Sequence, residues 1–171
     1  MALRDVLIDE LRDMYSAENQ LVKALPKLAK GAKNQDLKSL FLSHLDETKE
    51  QVLRLKQVFQ LLGEKPTGEH CNGMEGVIEE GADALEKDEE GPSFDSGIIG
   101  AALRTEHYEI ASRLSSSNTS RKCLTEQTRN QARKVDNAIP TSQVSVLISL
   151  TFRLEALPDF RSVDWIFGGD S

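Results

Sequence analysis

The chain has little cysteine, few aromatic residues, no excess of positive charge and no long apolar run. Cys71 and Cys123 are the two cysteines in 171 residues, with no metal-type spacing between them; they suit a reducing compartment. Aromatic residues make up 5% of the chain, against 29% charged residues. The formal net charge of −7 argues against a nucleic-acid-binding surface, which needs a basic patch. No stretch approaches the length of a transmembrane helix. The opening "MALRDVLIDELRDM" is acidic and lacks the apolar core of a secretory signal. Hydrolytic signatures are missing too: no zinc-type His-Glu-x-x-His, no glycine-rich phosphate loop, and no Ser-His-Asp or Cys-His pattern that spacing supports. A cytoplasmic protein without nucleic-acid or membrane partners is the expectation.

What the chain does have is unevenly distributed. Residues 1–111 carry 13 Lys+Arg and 22 Asp+Glu, whereas residues 112–171 carry 8 and 6. Serine rises from 5 in the first stretch to 10 in the second. Within the first stretch, residues 3–25 predict a helix: Leu7, Leu11, Met14, Leu21 and Leu25 follow alternating spacings of four and three, which stack side chains on one face. Position 18 of that stripe holds Glu18, and Pro26 is expected to end the helix. Residues 36–62 predict a second helix with Asp36 as N-cap, Gly63 as stop, and Leu37, Phe41, Leu55, Phe59 and Leu62 on one stripe. The middle of that stripe is polar: His44 is central, Thr48 and Gln51 are close by, Glu47 lies at the edge and Glu50 well outside. Residues 63–93 hold six glycines and two prolines around a short amphipathic piece near Met74, Val77, Ile78 and Leu85, and read as a long, partly helical connection. A further helix is expected from Phe94, capped by Ser93 or Asp95. Ile98, Ile99, Ala102, Leu103 and Ile110 form its apolar face, Glu106 and Glu109 project onto that face, and His107 points away.

A short link followed by one long crossover is the ferritin-like arrangement of four-helix bundles. Carboxylates and an imidazole on the buried faces of three helices also need an explanation. An isolated buried carboxylate is costly, so it must be paired, protonated or bound to a cation. Singly, each position reads best as an edge or hydrogen-bonded core residue. Together they point to a metal site, and oxygen and nitrogen donors of this kind suit iron or manganese.

The stretches "LRDMYSAENQLVKALPKLAKGA", "LKSLFLSHLDETKEQVLRLKQVFQLLGEKP", "CNGMEGVIEEG" and "AALRTEHYEIAS" resemble the YciE/YciF family of bacterial stress-response proteins. The resemblance covers residues 1–112 and implies a ferritin-like, dimeric, cytoplasmic helical bundle with a di-iron or di-manganese centre. Carried over position by position, its acidic and histidine residues are Glu18, His44, Glu47, Glu50, Glu106 and Glu109. Tyr15 and Tyr108 are candidate hydrogen-bond donors behind these ligands, or helix-packing residues.

From residue 113 the resemblance stops. "SRLSSSNTSRK" reads as loop, and residues 121–136 offer only a weak substitute helix with Leu124, Ala132 and Val135 on its face. Residues 144–154 alternate as a strand does, from Val144 to Leu154. The expectation is therefore a helical domain over 1–112 whose fourth helix is missing, followed by a divergent tail over 113–171. A frameshift or gene fusion near codon 112 would produce this change of character, and a divergent C-terminal module is the alternative. Two functions stay open. One is a stress-response protein with an incomplete di-metal site acting on peroxide or oxygen. The other is a non-catalytic helical protein that works through dimerisation or partner binding, its apolar groove filled by a second copy.

Overall fold

The computed structural model describes residues 2–86 and 92–123. They form four helices: α1 (Leu3–Gly31), α2 (Gln35–Leu62), α3 (Asn72–Glu86) and α4 (Pro92–Cys123). Helix α1 packs against α2 and α4, and α3 lies across α4 and α1. No strand occurs among the described residues, and the strand expected at 144–154 lies outside them, as does the weak helix beyond residue 123.

The all-helical expectation holds, but the expected loss of the fourth helix does not. The short amphipathic piece expected within 63–93 is there, and it extends to a complete helix over 72–86 despite its glycines, with Met74 and Gly81 buried. One of those glycines is required by packing: a Cβ on Gly73 would lie 2.6 Å from the Tyr108 ring of α4. Residues 112–122 do overturn the expectation of a loop: α4 continues through them without interruption to Cys123. Its buried face there is polar, so the alternation of apolar and polar residues that marks a helix is lost although the helix is not. Ala102, Glu106, Glu109, Arg113 and Ser116 are all buried and keep the four–three spacing.

The helix ends also differ from expectation. Helix α1 passes through Pro26 to Gly31. An interior proline removes one hydrogen bond and costs about 3 kcal/mol, but the extra turn buries Ala29 and sets Leu28 against the core. Asn34, not Asp36, caps α2, its side chain accepting from the backbone N–H groups of Asp36 and Leu37. Gly63 ends α2 in the left-handed conformation at φ 71°, as a C-terminal glycine does. Asp95 does not cap its own helix. Its carboxylate accepts from the backbone N–H of Lys33 at 3.0 Å and of Asn34 at 2.9 Å, tying the start of α4 to the α1–α2 turn.

Two apolar cores result. One gathers Leu21, Leu25, Leu37, Phe41, Met74 and Ile98, among others. The other gathers Leu7, Leu11, Met14, Leu55, Val58 and Phe59. The buried polar residues Glu18, His44, Thr48, Gln51, Glu106 and Glu109 occupy the middle positions of the same stripes, so a polar layer separates the two cores.

Candidate metal centre

Each member of the layer arrives by the same rule. The stripes of α1, α2 and α4 repeat every three or four residues, and at mid-helix the repeat delivers Glu18, His44 and the pair Glu106 and Glu109. Glu18 is 1% exposed, His44 4%, Glu106 1% and Glu109 3%. His44 Nε2 lies 3.2 Å from Glu106 Oε1 and 3.5 Å from Glu109 Oε2. One ligand atom from each of the three falls within 4.8 Å of the others. Donors on a small divalent ion at about 2.1 Å lie roughly 3 Å apart side by side and roughly 4.2 Å apart across the ion. The three donor atoms are thus spaced on the scale of the donors around one small divalent ion.

Orphaned atoms mark the same place. His44 Nε2, both Glu106 oxygens, Glu109 Oε2 and Glu18 Oε2 are buried without a hydrogen-bond partner in the described structure. Native interiors rarely leave such atoms unsatisfied. Protons can neutralise part of this buried charge. Burial pushes the Glu106 carboxyl up to about 7; His44 pulls against that rise, while Glu109 and Glu47 add to it. Burial, reinforced by Glu109, pushes Glu18 up to about 8, with Arg113 and His44 offsetting only part. Burial pulls His44 down, but the carboxylates of Glu109, Glu106 and Glu18 outweigh it and lift the imidazole to about 9.

The structure does not bring all six sequence-derived positions together. His44, Glu106 and Glu109 meet. Glu18 turns to Arg113, whose Nη2 donates to Glu18 Oε1 at 3.0 Å and to Glu109 Oε1 at 3.0 Å. Glu47 is half-buried, near enough for its charge to raise Glu106. Glu50 is exposed and pairs with Arg54 at 3.3 Å along α2, which accords with its outward angle. Tyr15 packs edge-on against Phe59. The Tyr108 hydroxyl donates to Asp13 at 3.0 Å and lies 2.9 Å from Cys71 Sγ, seating the start of α3 against α1 and α4. Cys71 is therefore a packed core residue, its thiol pushed up by burial. His107 is exposed, with Nδ1 2.8 Å from the Leu103 carbonyl oxygen.

Sequence reasoning missed Arg113, which is 3% exposed. The signal for it was present: Arg113 stands four residues after Glu109, the favoured acid-before-base spacing on a helix.

Beside the cluster lies a largely apolar cavity of about 60 Å³, walled by Leu21, Leu25, Leu28, Ile78 and Ala102 and reaching His44. A cavity of about 150 Å³ takes benzene, so this one has room only for molecules of a few atoms. Among the described residues no helix is long and apolar enough to cross a membrane.

The comparisons with known proteins agree with this architecture. The family model described as a domain of unknown function, DUF892, matches residues 2–116. Protein YciF of Escherichia coli (strain K12) is 43% identical over 111 residues, which cover 64% of this chain and 67% of that protein. The crystal structure of the E. coli stress protein YciF matches with a TM-score of 0.80 at 34% identity, covering 90% of this chain and 94% of that one. YcfI from Rhodopseudomonas palustris, described as a candidate structural protein, matches with a TM-score of 0.77 at 32% identity, covering 92% and 95%. The family match reaches Ser116 and so includes Arg113. The chain belongs to the DUF892 family, and E. coli YciF is among its relatives.

Proposed function

We propose that this chain is a ferritin-like helical stress protein whose His44, Glu106 and Glu109 hold iron or manganese and act on peroxide or dioxygen. The observation that carries the reading is the convergence of three buried ligand-type side chains, from two helices, with unpartnered donor atoms facing one another. Their oxygen and nitrogen chemistry fits either metal. When bound, such a metal supplies a redox centre and a Lewis acid. The chain's own residues do the rest. His44 ligates once its Nε2 is free of a proton, and the His44 backbone carbonyl is held in place by the Thr48 hydroxyl at 2.8 Å. The small, largely apolar cavity beside His44 suits a substrate of a few atoms.

Elemental analysis of protein loaded with Mn(II) or anaerobic Fe(II) tests the reading, followed by peroxide consumption by the loaded sample. Bound metal that is lost in Glu106→Gln and His44→Ala, with peroxide turnover lost in parallel, is expected. An unchanged metal content in both variants refutes the assignment.

The alternative of a protein acting through self-association has its own support. The R. palustris neighbour is described as a candidate structural protein. On this chain Leu42 and Leu53 are exposed on α2, about three turns apart and so on one face. Sedimentation of the full chain decides: a homodimer that Leu53→Glu dissociates supports this role, and a stable monomer removes it.

A further inference from the structure

The polar layer carries a cation of its own. Arg113 Nη2 stands between two carboxylates, 3.0 Å from an oxygen of Glu18 on α1 and 3.0 Å from an oxygen of Glu109 on α4. One guanidinium shared by two acids from two helices supplies there the positive charge that a second cation would otherwise have to supply. Glu109 spans both halves: Oε1 faces the guanidinium, and Oε2 faces His44.

Charge gives the same answer as geometry. Glu18, Glu106 and Glu109 contribute three negative charges to the buried layer when ionised, and Arg113 returns one positive. The remaining charge of two matches one divalent ion, with His44 a neutral ligand. A second divalent ion would leave the interior two positive, and burying uncompensated charge is strongly unfavourable. Glu47 is half-buried at the layer's edge, so its charge reaches Glu106 but stays open to water and outside the enclosed count. The guanidinium cannot make room by losing its proton, because arginine stays charged in proteins.

We infer that Arg113 takes the place of the second metal, so that this chain holds one divalent ion on His44, Glu106 and Glu109 and not two. The inference rests on the metal-site reading above, in which the ligands are named but their number of ions is open.

Equilibrium dialysis of the full chain against Mn(II), with elemental analysis, tests it, alongside Arg113→Met and Arg113→Lys. One ion per wild-type chain, one in Arg113→Lys, and a doubling to two in Arg113→Met is the expected result. Arg113→Met is to be refolded with Mn(II) present and checked for helicity, since removing the guanidinium exposes the acids to one another. Two ions on the wild type overturn the inference while leaving the metal site standing. A helical Arg113→Met that binds no more than one ion overturns it as well, and so does metal bound by Arg113→Met but not by the wild type. No ion on any of the three proteins removes the metal site itself.

Discussion

The two halves of the polar layer solve one problem in different ways. In the arginine half, Glu18 and Glu109 are bridged by Arg113, whose charge is permanent. In the imidazole half, Glu106 and Glu109 face His44, whose charge is one proton that a metal can displace. A permanent counter-ion makes the first half structural, while a removable one leaves the second half open to exchange. Burial alone does not separate them, since both are almost wholly enclosed.

The most severe way to break this comparison is to remove the permanent charge. Without metal, Arg113→Met should lose about 3–5 kcal/mol of stability in urea denaturation at neutral pH, the usual consequence of orphaning a buried ion pair. Metal saturation comes next. Mn(II) at about 100 times its Kd should stabilise the wild type by about 2.7 kcal/mol, and a chelator should reverse the rise in Tm. Exchanging single acids sharpens the contrast. Glu106→Gln should abolish the Mn(II)-induced rise and stabilise the metal-free protein at pH 8 by on the order of 1 kcal/mol. Glu18→Gln should keep most of that rise. Equal loss of the metal effect in both variants would mean that the halves are not distinct.

The pH response follows from the raised carboxyls and the raised imidazole. Glu106 rises from 4.5 to about 7, Glu18 from 4.5 to about 8, and His44 from 6.5 to about 9. All three bind protons more tightly when folded, so their contribution is complete below the unfolded values and is lost as pH climbs through the folded ones. Metal-free protein should therefore lose stability steadily from about pH 5 to about pH 9. Saturating metal should flatten the decline, because ligation favours the deprotonated acids and neutral His44; thermal melts across that range check both. The smallest effect belongs outside the layer. Glu50→Ala removes an exposed pair with Arg54 and should change stability by no more than about 0.5 kcal/mol, without altering metal content.

The sequence made α1 and α2 legible because their stripes are apolar at both ends and repeat strictly. It made His44, Glu106 and Glu109 legible as interruptions of those stripes. It hid the second half of α4 for the same physical reason. There the interruption becomes the rule, with Glu106, Glu109, Arg113 and Ser116 on the buried face, and hydropathy no longer alternates. Glu50 was brought in by resemblance alone, against its own helical angle, and the structure leaves it in solvent. The amphipathic piece around Met74 and Ile78 made part of α3 legible, but its glycines hid the helix's full length, since local propensity says nothing of the close approach of Gly73 to Tyr108.

The Asp95 carboxylate holds two backbone amides some sixty residues away in sequence, at the turn between α1 and α2. Its consequence is axial. A helix advances about 1.5 Å and rotates about 100° per residue, so a latch at one point fixes the height and angle of everything beyond it. Glu106 and Glu109 stand about three and four turns further along α4. One short carboxylate, remote from the layer and chemically inert, therefore sets the level at which α4 presents Glu106 and Glu109 to His44.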